Sequence, residues 1–135
     1  AEPRAMCMAL LDLDRFKQVN DSYGHLAGDA VIRAVIEVIQ QHCRPEDLVG
    51  RYGGEELLMC LPNMAIEQAM QVAERIRAAV AETIVNWDAQ PIAVTVSIGV
   101  TAFHPGELIE QWLARADSAL YEAKNTGRDR CAQVD

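Results

Sequence analysis

Acidic residues follow the ends of two predicted strands, where carboxylates could hold a divalent metal ion. They are Asp12 and Asp14 after an apolar run, and Glu55 and Glu56 after a pair of glycines. A carboxylate in or beside a buried strand is costly unless it is paired or binds a cation. Mg²⁺ takes one or two protein carboxylates and completes its coordination with water and substrate phosphates. The pattern favours a metal site for Asp12 and Glu55, and a solvated strand end for Asp14.

A glycine pair and two isolated lysines are the other residues whose types suggest chemistry. Gly53 and Gly54 suit the two-residue loop of a hairpin, and their bare backbone would also let a nucleotide approach closely. The neighbouring Arg51 and the two glutamates strengthen the second interpretation. Lys17 and Lys124 are the only lysines among the 12 basic residues. The usual role of a lysine is to carry charge at the protein surface. The positions of these two lysines relative to motifs must decide between that role and the binding of a ligand.

The length and charge of the chain restrict the class of protein. The 135 residues allow one domain, and half of them are hydrophobic, as in ordinary globular proteins. A formal net charge of −8 argues against a protein that coats DNA or RNA, because phosphate neutralisation needs a basic face. It does not exclude a small nucleotide, which needs only a few cations or a carboxylate-bound metal ion.

Cysteine usage and hydropathy predict a cytoplasmic location. The four cysteines, at positions 7, 43, 60 and 131, lack zinc-type spacing and are expected to be reduced thiols. No apolar run approaches the roughly 18 residues of a membrane span, so we expect no direct membrane contact. Residues 1–4 lack the basic and apolar regions of a signal peptide. The parent protein could still be anchored to a membrane through another segment.

Hydrophobic periodicity predicts helices interleaved with the strands of one sheet. Apolar residues at helical spacing mark three helices, at residues 31–39, 69–80 and 109–120. Asp29 precedes the first of these, as an N-cap or first-turn acid would. The predicted strands are residues 6–11, 48–52, 56–61, 92–101 and 131–134, with a turn region after the first. This order indicates an α/β sandwich of two or three layers.

Four motifs, in order along the chain, resemble those of GGDEF domains, the diguanylate cyclase family. Residues 12–29, DLDRFKQVNDSYGHLAGD, resemble the first signature, and residues 51–57, RYGGEEL, resemble the one that names the family. Residues 96–100, VSIGV, and 115–128, RADSALYEAKNTGR, are also similar to it. The resemblance covers essentially the whole chain. It implies an α+β fold with a central, mostly antiparallel sheet of about five strands flanked by helices, of the ferredoxin-like or nucleotidyl-cyclase type.

The resemblance also implies an activity and a cofactor. Family members condense two GTP into cyclic di-GMP and release two pyrophosphates, across an antiparallel homodimer in which each subunit holds one GTP. Mg²⁺ or Mn²⁺ would be held by Asp12, Glu55 and the Leu13 carbonyl. Glu55 would also accept the proton of the attacking 3′-hydroxyl, and Glu56 and Lys17 would support catalysis.

Substrate-binding roles follow by position in the same motifs. Asn20 and Asp29 would bind the guanine edge, and His25 would lie beside the nucleotide. Adenine lacks the pair of donors that a carboxylate accepts from guanine, so Asp29 would select GTP over ATP. The remaining GTP-binding residues, which include the cations that neutralise the phosphates, would be Lys17, Gly53, Gly54, Lys124 and Arg128.

A second group of residues resembles the inhibitory product site of the family. Residues 44–47 have the form Arg-x-x-Asp and stand shortly before the Gly-Gly pair. The resemblance implies that dimeric cyclic di-GMP binds Arg44 and Asp47, with Arg75 in addition, and inhibits turnover. A tetrapeptide of this form is common in proteins, and its ordinary role is a salt bridge that contributes little stability.

The sequence departs from the family pattern at two points. Leu57 stands where phenylalanine is usual, and we expect it to pack in the core. The helix with an Asp-x-Leu-Thr motif that opens family domains is absent, so we expect residues 1–135 to be a single domain without that helix or its upstream sensor or dimerisation module. The alternatives are a catalytically weak domain that binds GTP or cyclic di-GMP, and a mononucleotide cyclase or polymerase-palm-like enzyme. The intact acids and glycines favour the cyclase over the binding module. Asn20, Asp29 and the Arg44/Asp47 pair argue against the mononucleotide cyclase or polymerase-palm-like enzyme.

Overall fold

A computed structural model describes residues 5–134, which build a five-stranded sheet with helices against both faces. The predicted lack of a signal peptide concerns residues 1–4, which lie outside this range. The helices are α1 (Phe16–Tyr23), α2 (His25–Gln41), α3 (Ile66–Glu82) and α4 (Ile109–Asn125). The strands are β1 (Met6–Leu13), β2 (Leu48–Arg51), β3 (Glu56–Pro62), β4 (Ile84–Trp87), β5 (Gln90–Ala93), β6 (Val96–Ala102) and β7 (Arg130–Gln133). None of these helices combines the length and the apolar character that crossing a bilayer requires.

The central strand β1 is apolar because elements cover it on both faces. Its residues 7–13 are all buried, and Leu10 and Leu11 have no exposed surface. β1 pairs antiparallel with β3 and β6, which gives the sheet order β2-β3-β1-β6-β7, and β6 pairs parallel with β7. The expected α+β fold with a mostly antiparallel five-stranded sheet is confirmed.

Two groups of buried side chains hold the helices to the sheet. The larger group lies on the face covered by α2 and α3 and includes Val31 and Ile76. Leu57 belongs to this group and is fully buried, as the sequence predicted. On the opposite face, a smaller group packs Leu10 of β1 against Trp112 of α4. Burial of these apolar surfaces is the main stabilising contribution, at about 25 cal/mol per Å².

A short helix, α1, lies where the sequence predicted a turn region. Phe16 and Val19 are buried on its inner face, and the polar residues that follow are weak helix formers that concealed it. Gly24, with a φ of 92°, separates α1 from α2. Because α2 begins at His25, Asp29 lies inside the helix and not at its N-cap or first turn. That predicted position of Asp29 is wrong.

The long strand predicted at residues 92–101 is interrupted. β5 and β6 are separated at residues 94–95, where the Asp14 N–H donates to the Thr95 carbonyl at 2.9 Å. β4 and β5 form a separate two-stranded hairpin, which the prediction missed. Residues 88–89 at its tip both have positive φ and neither is glycine, so the usual sequence signal of a tight hairpin turn is absent.

Candidate active site

A cavity of about 160 Å³ opens where β1 ends beside the turn between β2 and β3. Asp12 and Glu55 reach it from these two strand ends. Lys17 reaches it from the first turn of α1, and Lys124 and Arg128 reach it from the end of α4 and the turn that follows. The lining is completed by Leu13, Asp14, Arg15 and Phe16. The fold thus brings together the predicted metal-ligating acids and the predicted phosphate-binding cations.

Main-chain hydrogen bonding holds the two predicted metal ligands near each other. The Leu13 N–H donates to the Glu55 carbonyl oxygen at 3.2 Å, so the end of β1 and the Gly-Gly turn are joined. The Asp12 side chain is 7% exposed and forms an ion pair with Lys124. Burial raises the pKa of Asp12, and the Lys124 ammonium opposes that shift. A further cation beside this carboxylate would favour its ionised form.

The donors of this cavity fit Mg²⁺ or Mn²⁺. Asp12 and Glu55 offer carboxylates and Leu13 offers a carbonyl, and such oxygen donors are the ones that these ions prefer. Residues 5–134 contain no group of three histidine, cysteine or acidic side chains with metal-binding geometry. A metal ion here would therefore depend on two carboxylates, the backbone, water and the oxygens of a substrate.

The three basic side chains of the cavity differ in their partners. Lys124 is half-buried and engaged with Asp12. Lys17 and Arg128 are exposed, and neither side chain forms a hydrogen bond or ion pair within the described part of the chain. Cations without a protein partner beside buried carboxylates are suited to bind an anionic ligand such as a phosphate.

The Gly-Gly turn does not have the geometry that a tight hairpin would require. Neither Gly53 nor Gly54 has a positive φ, whereas the two-residue hairpin turns do. A Cβ built on Gly54 would meet no atom within 4 Å. Arg51 closes the turn by donating to the Gly54 carbonyl at 2.7 Å. Backbone conformation therefore does not account for glycine at position 54, which favours the interpretation that a ligand approaches this backbone closely.

Glu56 lies at the start of β3 and lines a neighbouring cavity on the α4 side, with Glu110 and Asp117. Burial raises the pKa of Glu56, and the negative charge of Asp12 raises it further. Because these acids repel one another, a cation at the end of β1 would stabilise both Glu56 and Asp12 as carboxylates. The structure thus places Glu56 beside the acids of the first cavity and outside its lining.

The predicted guanine-binding residues lie on α1 and α2, away from the lining of the Asp12 cavity. His25 and Asp29 are exposed on α2. Asn20 of α1 packs so tightly against Gly28 that a Cβ there would meet the Asn20 Oδ1 atom at 2.0 Å. Among the described residues, that buried Oδ1 atom has no hydrogen-bond partner. The close crossing of the two helices holds Asn20 near the first turns of α2.

Comparison with known proteins decides the family. The family model described as "Diguanylate cyclase, GGDEF domain" matches residues 1–130. The chain belongs to the GGDEF family. The predicted membership of this family is confirmed. The residues that resemble the family signature are Gly-Gly-Glu-Glu-Leu at positions 53–57.

Relatives of this GGDEF domain include proteins named as diguanylate cyclases. Diguanylate cyclase DgcP of Pseudomonas aeruginosa is 42% identical over 125 residues, which are 93% of this domain and 19% of DgcP. The crystal structure of diguanylate cyclase SiaD in complex with its activator SiaC, from the same organism, has a TM-score of 0.94 at 41% identity, over 97% of this domain and 50% of that chain. The GGDEF domain of DgcB from Caulobacter crescentus in complex with c-di-GMP has a TM-score of 0.91 at 39% identity, over 96% and 77% of the two chains. This domain spans less than half the length of the curated relatives that it matches.

The predicted inhibitory residues Arg44 and Asp47 of this GGDEF domain bind each other. The Arg44 guanidinium donates to Asp47 at 2.7 Å and to the Pro62 carbonyl at 2.5 Å, while the Arg44 N–H donates to Asp47 at 2.8 Å. Both residues line an open cavity of about 510 Å³ between the end of α2 and β2. Arg75 is exposed on α3 and is not part of that lining.

The carboxylate of Asp14 is buried, in contrast to the prediction from its sequence position. It was expected to be a solvated strand end, but it is 7% exposed, so that expectation is wrong. Its carboxylate accepts hydrogen bonds from the Ser97 hydroxyl at 2.6 Å and the Thr95 hydroxyl at 2.7 Å. The sequence did not indicate this burial, because Thr95 and Ser97 stand 81 and 83 residues away along the chain and only the fold brings them to Asp14.

Proposed function

We propose that this GGDEF domain is a diguanylate cyclase, which condenses two GTP into cyclic di-GMP and releases two pyrophosphates. The observation that carries the proposal is the cavity at the end of β1, where Asp12 and Glu55 lie beside three basic side chains. Acids and cations in this combination suit a nucleoside triphosphate with a divalent metal ion. The family relationship supports the same activity, since relatives such as DgcP are named as diguanylate cyclases.

The reaction forms one bond and breaks another at each α-phosphorus. The 3′-oxygen of one GTP bonds to the α-phosphorus of the other, and the bond from that phosphorus to the pyrophosphate oxygen breaks. Glu55 accepts the proton of the attacking hydroxyl, with Glu56 in support. Lys17, Lys124 and Arg128 hold the phosphates and offset the charge that develops on the leaving pyrophosphate.

Asp12, Glu55 and the Leu13 carbonyl would hold Mg²⁺ or Mn²⁺. When bound, the metal ion would offset phosphate charge and polarise the α-phosphate. Asp12 is well placed as a ligand because it belongs to the buried central strand, which fixes the direction of its side chain. Glu55 is anchored through its own carbonyl, which accepts from the Leu13 N–H, while its side chain stays exposed.

One GTP per domain makes an antiparallel homodimer the active species. The 3′-hydroxyl of the nucleotide in one copy must reach the α-phosphate held by the other. Association of free domains has an entropic cost. An upstream sensor or dimerisation module of the parent protein would lower that cost by raising the effective concentration. We propose a cytoplasmic location, where GTP is supplied.

The experiment that tests the proposal is GTP turnover with Mg²⁺ at several protein concentrations, with the products separated by chromatography. We expect cyclic di-GMP, formed at a rate that rises more steeply than linearly with protein concentration. If the free domain forms no cyclic di-GMP, a covalently dimerised form is tested in the same assay. Absence of product from that form as well would overturn the proposal and favour a binding module for GTP or cyclic di-GMP.

Asp29→Ser is expected to relax the preference for GTP over ATP. The Asp29 carboxylate can accept from both guanine donors, and a single hydroxyl cannot replace that pair. Loss of hydrogen bonds to a charged group predicts a fall of about tenfold or more in the ratio of kcat/KM for GTP to that for ATP. Competition assays measure the ratio. Glu37→Ser, an exposed acid further along α2, is the control, and equal ratios for the two variants would count against this role of Asp29.

We propose that cyclic di-GMP inhibits the enzyme by binding at Arg44, Asp47 and Arg75. The DgcB domain crystallised with c-di-GMP supports binding of this product by the family. Arg44 is partly exposed beside the open cavity next to β2, and a guanidinium can bind phosphate through two parallel hydrogen bonds. In the structure the Arg44 guanidinium donates hydrogen bonds to Asp47 and to the Pro62 carbonyl, so product binding would require Arg44 to exchange these partners for phosphate.

Arg44→Ala is expected to relieve product inhibition. Loss of a two-pronged arginine contact to phosphate predicts a rise of about tenfold or more in the cyclic di-GMP concentration that halves the rate. Each inhibition curve is normalised to the uninhibited rate of the same variant. Arg33→Ala, which removes an exposed arginine of α2, is the control and should reproduce the curve of the unaltered domain. Identical curves for all three proteins would exclude Arg44 from the inhibitory site.

A further inference from the structure

The turn after α4 has a backbone conformation that its sequence alone does not favour. Gly127, Arg128 and Asp129 have φ values of 132°, 60° and 47°. Asparagine and aspartate tolerate the left-handed region, but an arginine there is unfavourable. Such a conformation persists when surrounding contacts determine it, and residues of this kind cluster at functional sites.

The first contact comes from the end of β1. The buried Asp14 carboxylate accepts the Asp129 N–H at 3.0 Å, in addition to the hydroxyls of Thr95 and Ser97. A carboxylate that accepts several hydrogen bonds is fixed in direction, because rotation would break all of them at once. Asp14 stands two residues after Asp12 and directly follows β1, which ends at Leu13. The segment that follows the predicted metal ligand thus also holds the turn.

The second contact comes from α3. The Arg77 guanidinium donates to the Asp129 carboxylate at 2.8 Å and to both carboxylate oxygens of Glu74 at 3.0 Å. The Arg77 side chain is 20% exposed, so the pair with Asp129 is partly shielded from solvent. Asp129 is consequently held at its backbone by Asp14, directly after β1, and at its side chain by α3.

We propose that Asp14, Asp129 and Arg77, which we call the turn network, position Arg128 toward the triphosphate of GTP. The proposal rests on the proposed function, in which Arg128 binds phosphate. Within the described residues the Arg128 side chain makes no hydrogen bond or ion pair that would hold it. The point and the direction at which this side chain leaves the main chain are set by the backbone, which is held by the turn network and by the Arg128 N–H, which donates to the Ala123 carbonyl at 3.0 Å. Asp14 and Arg77 are thus positioning residues that act through Arg128.

The test compares the affinities for 3′-deoxy-GTP and for guanosine, both measured with Mg²⁺. 3′-Deoxy-GTP lacks the attacking hydroxyl, so it binds without turnover, and the ratio of the two affinities reports the phosphate contacts. Loss of a charge-assisted contact predicts that Arg128→Gln and Asp14→Ala each lower this ratio about tenfold, and Arg77→Gln about threefold, while guanosine affinity is unchanged. Arg33→Gln, an exposed arginine of α2, is the control and should keep the ratio.

Two further variants separate positioning from general damage to the fold. Asp14→Asn should retain most of the ratio, because its amide oxygen can still accept the Asp129 N–H while its amino group donates to a hydroxyl. In the Arg128→Gln background, Asp14→Ala should have no further effect if it acts through Arg128. If Asp14→Ala does not fold, Arg77→Gln, on the partly exposed face of α3, is combined with Arg128→Gln in its place, and the same absence of a further effect is expected.

The outcomes distinguish this inference from the proposed function. If the unaltered domain binds 3′-deoxy-GTP no better than guanosine, the proposed phosphate cavity and the turn network's role both fail. If the unaltered domain prefers the triphosphate and Arg128→Gln lowers that preference, but Asp14→Ala and Arg77→Gln leave it unchanged, only the turn network's role fails. Additive effects of Asp14→Ala and Arg128→Gln would likewise show that Asp14 does not act through Arg128.

Discussion

Glu55→Gln is expected to lower the rate of cyclic di-GMP formation by about 10²–10³-fold, the usual effect of removing one preorganised charge-stabilising group from an active site. Glutamine keeps the size of the side chain but cannot accept the proton of the 3′-hydroxyl, and it is a poorer metal ligand than a carboxylate. The fold should be unaffected, because the Glu55 side chain is exposed and only its carbonyl accepts the Leu13 N–H. The loss should therefore appear in kcat and not in thermal stability.

The matched control for Glu55→Gln is Glu37→Gln, which makes the same chemical change on an exposed residue of α2. Both variants are assayed for GTP turnover with Mg²⁺, in the covalently dimerised form if the free domain is silent. Equal rates for the two variants would remove Glu55 from the proposed catalytic and metal-binding roles. A fall in melting temperature specific to Glu55→Gln would show that the side chain contributes to the fold.

Gly99→Val is expected to destabilise the domain by at least about 3 kcal/mol, the upper range for overpacking of a well-packed core. A Cβ at position 99 would lie 2.2 Å from the Leu120 backbone nitrogen and 2.5 Å from the Ala116 carbonyl oxygen. These are atoms of a helix backbone, which cannot rotate away as a side chain can. The helix α4 would have to separate from β6, and it carries Lys124 toward the cavity. Since natural domains are stable by only about 5–15 kcal/mol, such a loss approaches global unfolding.

Urea denaturation monitored by circular dichroism measures the effect on the free energy of unfolding. Gly50→Val is the matched control, because Gly50 also lies in a strand and a Cβ there would meet no atom within 4 Å. Valine favours strands over glycine, so the control should be as stable as the unaltered domain or slightly more stable. Equal stability of the two variants would contradict the close contact between β6 and α4.

Several elements could be predicted because their signals are local. An apolar run that ends at an acid predicts β1, and apolar residues at helical spacing predict α2, α3 and α4, although the predicted spans fall short of the observed helix ends by up to six residues. The helix α1 was missed because only Phe16 and Val19 mark its buried face, and eight residues are too few for periodicity to emerge. The β4–β5 hairpin was missed because its turn residues, Asp88 and Ala89, are not the usual ones.

The candidate site could be predicted in part, since motifs record residue types at fixed spacing. Asp12, Glu55, Lys17, Lys124 and Arg128 were predicted by number, and the fold brings all five to one cavity. Arg75 was predicted beside Arg44 and Asp47, yet the cavity that those two line does not include it. Position in a motif does not determine which side chains line the same cavity. For Arg75, Arg44 and Asp47, this depends on how α3 packs beside the end of α2.

The sequence by itself determined the family, the alternation of buried and exposed faces, and the types of residue that carry the proposed chemistry. Those properties follow from local spacing and from side-chain chemistry, and neither depends on contacts with distant parts of the chain. Only the tertiary structure decided that Asp14 is buried, because its hydrogen-bond partners Thr95 and Asp129 stand 81 and 115 residues away along the chain. The same holds for the pair of Asp12 with Lys124, 112 residues apart, which exists because α4 packs across β6 and ends beside β1. Contacts of such separation depend on the packing of whole elements, and local sequence patterns do not encode that packing.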